Sequence, residues 1–200
     1  MGDGIKSALD IVLEKIAALD AVTPDERLKW KYTPEGEQIA VKYFKDGEDL
    51  ALAIASYAVE AQPFVKNGAE KVLLENIQLP INNTVSARNY KAMDAVLYIK
   101  KDKPSATKVL DQLKHVLGHY TDQGAAQRKE AYELLKQQFE ARLKQAVKKQ
   151  RGTSGEDVDL GINVTTLPQF QDELRRTMAQ MDSQYINLLD EFKQELRRIK

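Results

Sequence analysis

The chain has 200 residues, of which 30 are Lys or Arg and 30 are Asp or Glu, so its formal net charge is zero. That balance excludes a uniformly basic nucleic-acid coat and a uniformly acidic tail, while 42% apolar residues supply a core. The absence of Cys excludes disulfides, thiolate zinc sites, iron–sulfur clusters and Cys nucleophiles, and two His leave little for acid–base work near neutral pH.

Met1–Lys6 has no basic stretch running into an apolar one, so no export signal is expected. Asp3 caps a first predicted helix with Ile5, Leu9, Val12, Ile16 and Leu19 on one face. Thr23-Pro24-Asp25-Glu26 sets Thr as N-cap, Pro at the first position and Glu at the third, a strong helix start. Thr33-Pro34-Glu35 repeats that logic, so the second helix should be short and restart there. The next helix runs through Ile39, Val41, Tyr43 and Phe44 to a stop at Asp46-Gly47. Trp30, between the two starts, is expected to lie over the core as a lid.

Leu50 to Ala61 is the most apolar run, about twelve residues against the roughly 20 needed to span a bilayer. It is predicted as a helix buried on most faces. Val65 to Ile77 follows as a helix with Val72, Leu73 and Ile77 in the core. Ile77, Leu79 and Ile81 alternate as in a strand, which Pro80 would confine to an edge. A helix from Thr84 or Ser86 to about Lys101 should bury Tyr90, Met93, Val96 and Leu97, with Tyr98 at the margin of that face.

Beyond Asp102-Lys103-Pro104-Ser105 the pattern is helical to about Gln150, with Leu110, Leu113, Leu117, Tyr120, Ala131, Leu134, Leu135, Phe139, Leu143 and Val147 as its stripe. Gly118 and Gly124 weaken its middle by about 1 kcal/mol each relative to Ala, and Thr121 to Gly124 predicts a hairpin or a sharp kink. Arg151 to Asp159 reads as a linker. Val158, Leu160, Ile162 and Val164 alternate, as a short strand or as an extended segment lying on the helical body. Leu167 to Lys200 reads as one helix roughly 50 Å long. Its stripe from Phe170 to Ile199 takes eight steps over 29 residues, the 3.6 period of a straight helix packed on a body. The predicted fold is therefore all-α: a multi-helix bundle (1–150), a linker with at most one or two short strands (151–166) and a long C-terminal helical arm (167–200).

Three places carry candidate chemistry. His115 and His119 lie four apart on one helix face, the spacing of a helical metal site. The Glu of a His-Glu-x-x-His motif is missing, and this face lies almost opposite the apolar stripe, so it is expected to be solvated. Charge is uneven: residues 1–99 hold 11 basic and 15 acidic groups, residues 100–151 hold 13 and 6, and residues 152–200 hold 6 and 9. The basic peak, 136–151, offers Lys144, Lys148, Lys149 and Arg151 to a polyanion or nucleic acid. The arm offers Phe170, Leu174, Met178, Met181, Tyr185, Leu188 and Phe192 as an oligomer interface. Phosphate-binding Gly loops and the Gly-x-Ser-x-Gly elbow are absent, and no cofactor is expected.

The run Ile5-Lys6-Ser7-Ala8-Leu9-Asp10-Ile11-Val12-Leu13-Glu14-Lys15, followed by Glu35-Gly36-Glu37-Gln38-Ile39-Ala40-Val41-Lys42-Tyr43-Phe44, resembles the start of a family of short bacterial helical proteins of unknown function. The resemblance covers about the first fifth of the chain. It implies a bacterial, cytoplasmic, helical protein and no particular chemistry. Together these features predict a non-catalytic helical interaction or scaffold protein that forms a homodimer through its arm and does not enter a membrane. The alternative is a polyanion or nucleic-acid binding module built on helix 136–151, with an acidic protein as a further partner.

Overall fold

The computed structural model of the chain describes residues 23–151 and 163–199, the side chains of Gln150 and Arg151 apart. Seven α-helices and one short 3₁₀ turn make up its regular structure, with no strand among the described residues. The all-α expectation, long C-terminal helix included, is met. Among the described residues two compact units emerge: one gathers residues 23–77 with Lys91–Ile99, the other Gln78–Tyr90 with residues 100–151 and 163–199.

In the first unit, α1 (Pro24–Asp46) begins where its cap predicts. Thr23 Oγ1 accepts the Glu26 N–H at 3.3 Å, and the Glu26 carboxylate accepts the Thr23 N–H at 2.9 Å. The bond from the Thr23 N–H, and next one that the Thr23 hydroxyl donates at 2.9 Å, hold the Glu26 carboxyl below its ordinary range. Gly47, left-handed at φ 73°, ends the helix. The expected restart at Pro34 does not occur; Pro34 sits inside one continuous helix. Its ring removes one backbone hydrogen bond, to the carbonyl of Trp30. Packing outweighs that loss. α3 (Gln62–Glu75) crosses α1 where glycines face each other's backbone: a methyl group at Gly36 would overlap the Val65 carbonyl, and one at Gly68 the Thr33 carbonyl. Ile39, Ala40, Val65, Ala69, Leu73 and Leu74 are buried around this crossing. A break at Pro34 would spoil it. Because α1 is uninterrupted, Trp30 falls about half a turn out of phase with Ile39. It is 59% exposed and forms no lid.

The predicted helix over Leu50–Ala61 shrinks to α2 (Leu50–Ala55). Asp49 Oδ1 caps it, accepting from the N–H groups of Ala51 and Leu52 at 2.8 and 3.1 Å. At the other end Ser56 Oγ donates to the Ala53 carbonyl and the chain turns. Leu50, Ile54 and Ala61 are buried, whereas Leu52 and Val59 are exposed, so the run is not buried on most faces. α4 (Asn83–Ile99) buries Met93 and Val96 as predicted, but Tyr90 and Tyr98 are exposed and Ala92, Ala95 and Ile99 are buried instead. Within the first unit Lys91 Nζ donates to the Tyr43 carbonyl at 2.7 Å and the Tyr43 hydroxyl donates to the Lys91 carbonyl at 3.1 Å.

Where the second unit begins, the alternation at Ile77, Leu79 and Ile81 produces no strand: residues 77–80 lie between helices without regular structure, and the Ile81 N–H turns back to the Leu79 carbonyl at 2.9 Å. Asn89, fully buried, takes the partner's place: its Oδ1 accepts the Gln78 N–H at 2.9 Å and its Nδ2 donates to the Gln78 carbonyl at 2.6 Å. α5 (Lys103–Thr121) is capped by Asp102 and buries Val109, Leu110, Leu113, Leu117 and Tyr120, the predicted stripe. Only Asp122 separates it from α6 (Gln123–Arg151). Asp122 N–H donates to the Gly118 carbonyl and the Ala126 N–H to the Asp122 carbonyl, so the junction is a kink in a nearly continuous ladder. Val164 is buried in the 3₁₀ turn Val164–Thr166, while residues 158–162 of the alternating segment lie outside the described residues. α7 (Pro168–Arg198) completes the unit.

Candidate functional site

Four sets of contacts tie α7 to the residues beside it. Lys100 Nζ donates to the Ile199 carbonyl at 2.6 Å. His119 and Tyr120 meet Tyr185, Arg128 meets Asp182, and Phe139 meets Phe170. Numbers rise along α5 and α6 as they fall along α7. The arm therefore runs antiparallel to both and bridges the kink between them.

At the kink the contacts are polar and aromatic. His119 Nδ1 and the Tyr185 hydroxyl lie 2.9 Å apart, and the Tyr185 ring stands edge-on to Tyr120 with centroids 5.1 Å apart. The Arg128 guanidinium stacks over the Tyr120 ring at 3.9 Å, and its Nη2 donates to the Tyr120 carbonyl at 3.0 Å. That carbonyl belongs to the last turn of α5, where a cation also meets the negative end of the helix dipole. Arg128 Nη1 reaches Asp182 at 3.7 Å. Burial, and next the Asp182 carboxylate, push the Tyr120 hydroxyl above its ordinary range, so it stays protonated at neutral pH. Gly124 leaves room for this cluster, since a methyl there would lie 3.0 Å from the Tyr185 hydroxyl.

This geometry changes the reading of the two histidines. His115 is exposed as expected, but His119 is half-buried and engaged by Tyr185. The solvated face was derived from α5 alone; α7 covers its last turn. Asp111, the carboxylate preceding the pair, lies 3.5 Å from Lys114 Nζ. Among the described residues no group of three or more His, Asp or Glu side chains is placed to hold a metal ion.

The arm's apolar stripe is used unevenly. Phe170 is fully buried, edge-on to Tyr132 and Phe139 of α6 at 5.8 and 5.4 Å. Leu189 and Leu196 are also buried. Leu174, Met178, Met181, Tyr185 and Phe192 are half-buried. Leu188 is 40% exposed. It follows Phe170 by 18 residues, five full turns, so both point the same way from the helix axis. What differs is the neighbour. Phe170 faces the middle of α6, whereas beyond the kink the covered edge shifts to Leu189 and Leu196. Of the predicted interface, Phe170 is thus a core residue of its own chain, and Leu188 lies at the open edge.

The basic end of α6 keeps its charges at the surface. Lys144, Lys148 and Lys149 are exposed, and Arg151, the last residue of the helix, has its side chain outside the described residues. Arg142 lies 3.8 Å from Glu173 and its guanidinium sits 5.4 Å from the Phe139 ring centre. Lys136 lies 4.0 Å from Glu140. Arg128 and Asp182 were not singled out by the sequence. Their one signal was a glycine inside a helical pattern, which often marks the close approach of another element.

Each unit also carries a surface cleft. In the first unit a cleft of about 490 Å³ is lined by Tyr43, Glu48, Asp49, Asp94 and Tyr98, with Asp49 already committed to capping α2. In the second, one of about 400 Å³ is lined by Asn82, Ser86, Tyr120, Thr121 and Arg128, with Arg128 already committed to Tyr120 and Asp182. No described helix is long and apolar enough to cross a membrane.

No curated protein and no solved structure is detectably similar to the chain. A family of unknown function, DUF6657, matches residues 51–198, so the similarity lies over the two units and the arm, beyond the N-terminal runs that suggested it. With about three quarters of its length matched, the chain belongs to this helical family of unknown function.

Proposed function

We propose that the chain is a non-catalytic helical interaction protein of the bacterial cytoplasm that self-associates as a dimer along the open edge of α7. One observation carries the reading: Phe170 and Leu188 share one direction on α7, yet Phe170 is fully covered by its own chain while Leu188 stays 40% exposed. Met181, on the same side, is half-buried. A second copy related by a two-fold axis would present the same edge and cover both. Covering the 40% of Leu188 that is still exposed contributes about 1 kcal/mol, and a two-fold interface uses each residue twice.

Light scattering on a sizing column tests this. The wild-type chain is expected at twice the chain mass and Leu188→Glu at the single mass, with unchanged helical circular dichroism. A wild-type chain that keeps the single mass from micromolar to millimolar concentration would overturn the reading. So would a dimer that Leu188→Glu leaves intact.

A further inference from the structure

We infer that the last turns of α6 form a sequence-independent binding surface for the phosphate backbone of a nucleic acid. Residues 141–151 hold Arg142, Lys144, Lys148, Lys149 and Arg151 and no acid. Two carboxylates on α6 and α7 beside this stretch already have cationic neighbours: Glu140 lies near Lys136, and Glu173 near Arg142. Lys144, Lys148 and Lys149 remain at the surface. The helix dipole accounts for cations in the final turn, such as Lys148 and Lys149, but its effect falls off before Lys144. Lys144 and Lys148 lie one turn apart on the same side of the helix, so they present a row of positive charge.

The same segment argues for phosphates over a lipid surface. An interfacial helix inserts an apolar face, and here the apolar side chains, Leu143 and Val147, are half-buried in the protein. No aromatic residue lies between Arg142 and Arg151 to stack on bases. The surface therefore offers charge without base readout, and its affinity should follow salt and ignore sequence.

Fluorescence anisotropy of the full chain with a labelled random-sequence DNA duplex, titrated at several salt concentrations, tests the inference. Neutralising three phosphates predicts a loss of affinity of about 40-fold between 50 and 200 mM salt. The variant Lys144→Gln/Lys148→Gln/Lys149→Gln changes only exposed side chains and is expected to keep its helical circular dichroism while losing the binding. Duplexes of two unrelated sequences should bind alike. No binding at 50 mM salt, or binding that the triple variant retains, would overturn the inference. Binding to phosphatidylserine vesicles without binding to DNA would overturn it in favour of a membrane surface. The inference does not rest on self-association: Leu188→Glu should bind DNA with the same salt dependence per chain.

Discussion

The α1–α3 crossing and the α7 seam hold helices together in opposite ways. At the crossing two glycines let backbones touch, and there is no side chain to trim and no room to add one. Along α7 the contact is made by large side chains, Phe170 on Tyr132 and Phe139, Tyr185 on Tyr120, with an exposed Leu188 at one edge. The first contact is complete within the chain. The second is partly filled, and that difference is why interaction is sought on the arm. It also sets opposite rules: the seam should suffer from subtraction and the crossing from addition.

The largest effect is expected from subtraction at the seam. Phe170→Ala should cost about 3–5 kcal/mol, the range for emptying a fully buried aromatic site, measured by urea unfolding. A loss below about 1 kcal/mol would mean that Phe170 is not packed as described. Addition at the crossing comes next. Gly68→Ala should cost about 1–3 kcal/mol, because the obstacle is the Thr33 carbonyl and a backbone cannot step aside like a side chain. Gly36→Ala should match it, and a neutral result for both would remove the glycine crossing.

The same substitution in the second unit should behave differently. A methyl at Gly118 meets nothing within 4 Å, so Gly118→Ala should stabilise by about 0.5–1 kcal/mol through helix propensity. At Gly124 the nearest atoms are side-chain ends, Tyr185 Oη and Arg128 Nη1, which can shift, so Gly124→Ala should be close to neutral. Thermal melts of the four glycine variants would order them directly.

The smallest effect concerns Tyr120. Its folded pKa is raised by burial and by Asp182, so the folded state keeps the phenolic proton longer than the unfolded chain does. Stability contributed by the neutral hydroxyl is present below the unfolded value of about 10 and lost as pH rises past it. Tyr120→Phe should flatten that alkaline decline and leave stability at neutral pH nearly unchanged. An unaltered alkaline slope would show that Tyr120 does not contribute to it. Tyr43, raised by burial and next by Asp94, should contribute in the same direction.

Much of the fold was legible in the chain, and the reasons are local. The Thr23-Pro24-Asp25-Glu26 cap, the break at Asp102-Lys103-Pro104-Ser105, the α5 stripe and the long α7 stripe all depend on side chains within one or two turns of each other. Where reading failed, a distant partner intervened. Pro34 sits within α1 because Gly36 lies against α3. The alternation around Gln78 finds a side-chain amide, Asn89, eleven residues on. His119 leaves the solvated face because Tyr185, 66 residues later, covers it.

By itself the sequence determined the helical class, most helix starts, the amphipathic stripes and the uneven charge, because spacing, capping and charge are properties of neighbouring residues. Only the tertiary structure decided which part of each stripe is covered. It set Phe170 against α6 and left Leu188 exposed, although both point the same way. It also gathered Arg128, Asp182 and Tyr185 at the kink. Helical periodicity states in which direction a side chain points; whether anything stands there depends on the path of the rest of the chain.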